Sequence, residues 1–411
     1  MRRAVARLGI WPIALFAALL VVGSVSASSL RVTAKDFNDF EWTEVYDGPV
    51  QAGTPGWSGR AGLQAVELRN RLYLMGGRTP DPDDLGGNPF RSTLWNDVWE
   101  SRDLGASWTQ LQAPPGGPRW SKRAYFQAVT KGGAMFVLGG QNLISGFGAC
   151  LPGIFSCSDF YNDVWRSSDG TNWERLEGSG ERWKERAGLS AIEFKGWIYV
   201  LGGSYGDDFA IGGAVNRELF NDVWRSRDGK KWERVTDHAP WLPRAGAAVV
   251  EKNGYIYLLG GENGFSCPPG GFCSYFNDVW RSRDGARWEL VTEHADWSAR
   301  PGHQCQVLSD SFVCFGGFGF PTNPYVAAHP VDVWVSRDGK DWEKLDKGPW
   351  KATESADVKY DFDSLVVRGG RGGLPPSIYT FGGDREASFL AASAALVDDE
   401  VWRFSPPRHG K

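Results

Sequence analysis

The chain has no surplus of basic residues: 45 Lys and Arg stand against 49 Asp and Glu, for a formal net charge of −4. A surface so balanced has no field to draw in a phosphate backbone, so nucleic acid is not an expected partner. Histidine is scarce at 5 residues, and no cysteine pair has the two-residue spacing of a zinc knuckle. His238, His294, His303 and His329 fall in the fourth and fifth of the repeats described below, too thin a set to specify a metal, so neither metal nor cofactor is expected. No nucleophile elbow, phosphate loop or zinc-protease helix is found. Beyond the first 27 residues no apolar run approaches the roughly 20 residues of a membrane span.

Those first residues form their own segment. Arg2, Arg3 and Arg7 precede an apolar run from Leu8 to Gly23, and Val25-Ser26-Ala27 supplies small residues for a cleavage site. Residues 1–27 therefore read as a secretory signal peptide, and the mature protein is expected to be secreted or periplasmic, free of membrane and monomeric. The six cysteines form three close pairs, Cys150 with Cys157, Cys267 with Cys273 and Cys305 with Cys314. Local disulfides in an oxidising compartment are the expectation.

What is abundant is tryptophan, at 21 residues, and glycine, at 53. A β-rich run ending in Gly-Gly occurs six times, closing at Gly77, Gly140, Gly203, Gly261, Gly317 and Gly383. A second block follows each, ending in Val-Trp at Trp99, Trp165, Trp224, Trp280, Trp334 and Trp402, with spacings from 54 residues (280 to 334) to 68 (334 to 402). Six units of four antiparallel strands, a to d, follow from this periodicity. Strand a opens on an Arg-Ala-Gly run, b ends in Gly-Gly, c begins at Asn-Asp-Val-Trp and d carries a second Trp. Ser-Arg-Asp-Gly turns at 226–229, 282–285 and 336–339 join c to d and read as tight hairpins. Only nine residues follow Trp402, too few for a fourth strand, whereas Glu41-Trp42-Thr43-Glu44-Val45 has the strand-d pattern. The fold expected for residues 28–405 is an all-β six-bladed propeller whose N-terminal strand completes the last blade, with 406–411 as a tail.

The Gly-Gly, Asn-Asp-Val-Trp and distal Trp positions resemble kelch repeats of the galactose oxidase central-domain kind. The turn Ser101-Arg102-Asp103-Leu104-Gly105-Ala106-Ser107-Trp108 is similar to the Asp-box of sialidase-type propellers. In both families these residues build blades, so the resemblance implies fold more than function. The paired tyrosines of galactose oxidase and the Arg-Ile-Pro element of sialidases have no match here. Kelch-type sialic acid epimerases, secreted six-bladed propellers acting on an anionic sugar, offer the nearer enzymatic analogy.

All six b–c connections are long, and loops of that length usually carry function. On the same face Trp57-Ser58-Gly59-Arg60 recurs up to Arg123, Arg186, Arg244 and Arg300, while the sixth copy, Trp350 to Thr353, lacks the arginine. Two roles suit this ring. The arginines could line an anion-binding mouth, with Arg60, Arg300, Trp57 and Trp297 beside the gap receiving ligand first. Alternatively each could brace its blade against Asp97, Asp163, Asp222, Asp278 or Asp332. The favoured function is a module that binds protein or glycan through this face, without catalysis. The alternative is a sugar-modifying enzyme, epimerase or sialidase-like, acting on an anionic sugar. Carboxyls of raised pKa beside arginines in the channel mouth would distinguish the two.

Overall fold

Six four-stranded antiparallel sheets follow one another along the chain. The computed structural model describes residues 37–48, 56–80, 92–142, 158–206, 217–264, 274–319, 330–353, 357–369, 373–385 and 397–407, all within the compact unit Val32–Lys411. Blade one runs outward from Gln64–Leu68 through Arg71–Pro80 and Ser92–Ser101 to Thr109–Leu111. Blades two to five repeat this order from inner strands Gln127–Lys131, Ser190–Phe194, Ala248–Lys252 and Gln304–Leu308. Blade six takes Asp363–Val367, Ser377–Asp384 and Val397–Ser405, then Glu41–Asp47 as its outer strand, with Trp42 opposite Phe404 and Glu44 opposite Trp402. Each inner strand contacts the inner strands on both sides, including the first against the last, so the ring is closed. Among the described residues no helix is long and apolar enough to cross a membrane.

Tryptophan pairs organise the interior. The Trp entering each blade packs edge-on against the strand-d Trp of that blade: Trp57 on Trp108, Trp120 on Trp173, Trp183 on Trp232, Trp241 on Trp288, Trp297 on Trp342 and Trp350 on Trp42. Edge-to-face packing is the favoured geometry for such rings and adds about 0.5 to 1.5 kcal/mol per pair to the burial.

The tight hairpins lie elsewhere than the Asp-Gly signal indicates. They join strands a and b, as at Arg69-Asn70 and Lys195-Gly196, where both central residues have positive φ and the flanking residues pair directly. The c–d turns are longer loops wound around a carboxylate. Asp228 Oδ1 accepts from the Lys230 and Lys231 amides, and Trp232 donates Nε1–H to the Gly229 carbonyl. The acidic side chain satisfies amides that a two-residue turn would have left to a ladder.

Of the three cysteine pairs, Cys305–Cys314 lies within the described residues and is bonded across strands a and b of blade five. Cys150, Cys157, Cys267 and Cys273 lie outside them, as do residues 1–27 and most of the long b–c connections.

Candidate functional site

The five repeated arginines are buried, none more than 2% exposed. Each guanidinium makes the same bonds. Arg123 NH1 reaches Asp163 Oδ1 at 2.5 Å and the Gly139 carbonyl at 2.9 Å, and Nε donates to the Ser121 carbonyl. Arg60, Arg186, Arg244 and Arg300 pair likewise with Asp97, Asp222, Asp278 and Asp332 at 2.5 to 2.7 Å. Aromatic rings cover four of these cations: Trp95 over Arg60, Tyr161 over Arg123, Phe220 over Arg186 and Phe276 over Arg244. Burial pushes the Asp163 carboxyl up, but hydrogen bonds and charge from Arg123 outweigh it and hold it below the usual range. Trp57 and Trp297 are enclosed as well. A cation so surrounded braces its blade and presents no free face to a solute.

The ring has no gap. Lys359, nine residues after Trp350 instead of three, fills the sixth place, with Nζ 2.5 Å from Asp398 and 2.8 Å from Glu400. Its carbonyl accepts from the second glycine of blade five, Gly317, as the Arg123 carbonyl accepts from Gly77. An insertion before the cation conceals the equivalence in the sequence. Glu400 replaces the aspartate, and although burial opposes ionisation, Lys359 draws its pKa down to about 2.

Function is better sought where the six blades differ. Two residues beyond each of these cations the chain turns through positive φ, at Gly62, Tyr125, Gly188, Gly246, Gly302 and Asp361. Amide-to-carbonyl bonds link these residues around the axis: Tyr125 to Gly62, Gly188 to Tyr125, Gly246 to Gly188, Asp361 to Gly302 and Gly62 to Asp361. Five such bonds tie the six turns into a hoop around the axis, open between Gly246 and Gly302. Four members are glycine, which adopts such φ values without cost, so Tyr125 and Asp361 stand out as side chains kept where glycine is easier. Their room comes from their neighbours. A Cβ on Gly62 would lie 3.0 Å from the Tyr125 ring, and one on Gly302 would lie 2.8 Å from Asp361 Oδ1.

A second ring surrounds the hoop, formed by the residue after each Gly-Gly pair: Arg78, Gln141, Ser204, Glu262, Phe318 and Asp384. Five of them are fixed by single bridges to the opening of strand a, as in Ala61 with Arg78 and Tyr360 with Asp384, and the sixth, Phe318, donates its amide to the Pro301 carbonyl. Backbone positions repeat while side chains do not. Arg78 crosses from blade one to blade six, its NH2 2.6 Å from Asp384 Oδ2, and donates Nε–H to the Tyr125 hydroxyl at 2.8 Å. Tyr125 in turn hydrogen-bonds Asp361. Across the mouth Arg217 holds Glu262 through two bonds, at 2.7 and 3.1 Å.

Asp361 is half-buried. Burial, with a further contribution from the Asp384 charge, pushes its pKa to about 7, against the opposing pull of Arg78 and Tyr125. At neutral pH it is therefore present in both protonation states, the condition for general acid–base work. Below the hoop a cavity of about 510 Å³ runs between the inner strands. Asp363 lines it, and burial raises its carboxyl to about 7 although the Ala65 and Ser364 amides bind it.

The histidines do not converge on this site. His303 is enclosed beside Trp297 at the position held by Leu63, Phe126, Leu189 and Phe362 in other blades, and burial drops its pKa to about 3. His238 and His294 bond to Asn221 and Asn277, equivalent residues of successive blades. His329 lies outside the described residues. Sequence reasoning missed Tyr125, Asp361, Arg78 and Asp384. The usable signal was departure from the repeat: Tyr and Asp where the Arg-Ala-Gly run has glycine, and a variable residue after an invariant Gly-Gly.

No family model matches the chain. It is similar to curated N-acetylneuraminate epimerases: 24% identical over 262 residues to that of Escherichia coli O1:K1, covering 54% of this chain and 63% of the relative. The E. coli O157:H7 protein is 26% identical over 254 residues, covering 56% and 63%, and that of Shigella boydii serotype 4 is 26% identical over 252 residues, covering 54% and 63%. The match thus spans less than two thirds of these relatives, and the likeness is distant.

Proposed function

We propose that this propeller is a sugar-modifying enzyme that epimerises an anionic sugar at the channel mouth. The observation that carries the reading is the chain Asp361, Tyr125, Arg78, Asp384, in which a carboxyl balanced near neutrality shares a hydrogen-bond network with an arginine at positions where the blades differ. Raised carboxyls beside arginine are what separate this reading from a plain binding module. The distant likeness to proteins named N-acetylneuraminate epimerase supports the same substrate class. A cyclic sugar inverts its anomeric centre when the ring C–O bond breaks and reforms on the other face. One proton leaves the anomeric hydroxyl and one reaches the ring oxygen, and closure reverses both. Asp361 takes and returns the first, and Tyr125 passes the second. The Cys305–Cys314 bridge supports an extracytoplasmic setting.

Exchange NMR on N-acetylneuraminate with the purified chain tests this. Acceleration over buffer that falls by about 10² or more in Asp361→Asn is expected. Saturable binding without acceleration would favour the binding-module reading, and neither would remove the anionic sugar from consideration.

A further inference from the structure

Among the described residues three acids and two arginines share the mouth, and the arginines are distributed unevenly. Asp384 is fully buried and takes the NH2 of Arg78, while Nε of the same guanidinium is committed to Tyr125. Glu262 takes Arg217. Asp361 hydrogen-bonds Tyr125 and feels the charges of Asp384, Arg78 and Glu262, yet among the described residues it enters no ion pair. A guanidinium is a planar fork of fixed geometry. With one edge on a carboxylate and another on a hydroxyl it cannot also turn toward a third group. The backbone reinforces this division, because Arg78 and Asp384 occupy equivalent places in adjoining blades, each bridged to the opening of an inner strand.

We propose that Asp384 is the positioning residue of the site, holding Arg78 on Tyr125 and away from Asp361. The inference rests on the reading of Asp361 as the acid–base group. Asp384 touches no substrate in this scheme; it decides which carboxyl receives the cation. Without it, Arg78 is released to pair with Asp361, which then stays ionised at neutral pH and can no longer return a proton.

The test follows the Asp361 carboxyl by ¹³C NMR in protein labelled at aspartate, with the resonance assigned through its loss in Asp361→Asn. In Asp384→Asn the Asp361 midpoint is expected to fall by about one to two units as Arg78 closes on it, further than loss of the Asp384 charge alone takes it in the double variant below. The double variant Asp384→Asn with Arg78→Gln removes both partners, leaves no lone buried charge, and is expected to keep Asp361 raised. An unchanged midpoint in Asp384→Asn overturns the proposal. Should that variant fail to fold, the double variant decides: an Asp361 midpoint in the ordinary carboxylate range overturns the proposal, and a raised one upholds it. These midpoints are read without turnover. If they move as expected while the parent protein does not accelerate sugar exchange, the enzymatic reading falls and the positioning role stands. Where exchange is observed, the pH profile of Asp384→Asn should shift to lower pH together with the midpoint.

Discussion

Trp42 and Trp350 pack edge-on, with centroids 5.9 Å apart and planes at 67°, although 308 positions of sequence separate them. The other five blades make the same contact within a single repeat. This pair is where the N-terminal strand locks into the last blade, and Trp42 also meets Phe315 and Phe404 there.

Trp42→Ala should therefore cost about 3 to 5 kcal/mol, as for a large core aromatic. Removing residues 28–46 should expose the Val397–Ser405 edge and cause aggregation. Thermal melting and light scattering check both. A truncated chain that stays monodisperse with an unchanged Tm would mean that the closing strand is dispensable.

Buried arginines of the brace should act on stability. Arg123→Ala leaves Asp163 with an uncompensated charge and is expected to cost about 3 to 5 kcal/mol, with similar losses for Arg60, Arg186, Arg244 and Arg300. Denaturant titration measures this directly. Loss of sugar binding in Arg60→Ala or Arg300→Ala with an unchanged melting curve would return those residues, with Trp57 and Trp297, to the ligand site.

Gly62→Ala and Gly302→Ala should disturb the site more than the fold. Each puts a Cβ against Tyr125 or Asp361 at a φ above +60°, a strain of about 1 to 2 kcal/mol. Exchange activity should drop at least about tenfold if the displaced group moves by 1 Å. Alanine at Gly132, where nothing lies within 4 Å, serves as the control for backbone strain alone.

Asp363 makes stability depend on pH in a defined direction. Its folded pKa, about 7, lies above the unfolded value, so the folded state holds the extra proton between them. The contribution is complete below about pH 4 and fades as pH rises through 7. Tm should decline over that interval, and Asp363→Asn, which mimics the protonated group, should flatten the decline. A variant that tracks the parent across the whole range would show that Asp363 titrates normally.

Non-reducing peptide mapping should recover Cys305 joined to Cys314, and also Cys150 with Cys157 and Cys267 with Cys273. Replacing the first pair by serine should cost about 2 to 3 kcal/mol on the loop-entropy account.

Periodicity alone determined the architecture. Six Gly-Gly runs, six Val-Trp blocks and one orphan strand-d tryptophan admit few folds other than a closed six-bladed ring, because each unit can bury its faces only against copies of itself. The same repetition hid the site. A repeated residue is one that every blade needs, so the conspicuous arginines turned out to be enclosed with aspartates, and Lys359 escaped notice because an insertion moved it. What the proposed site is made of is irregular and distant in sequence: Arg78, Tyr125, Asp361 and Asp384 come from three blades and meet only because the ring brings the last blade against the first. Their charge states were likewise beyond the sequence, since burial and neighbouring charge, not residue type, raise Asp361 to about 7 while Lys359 lowers Glu400 to about 2.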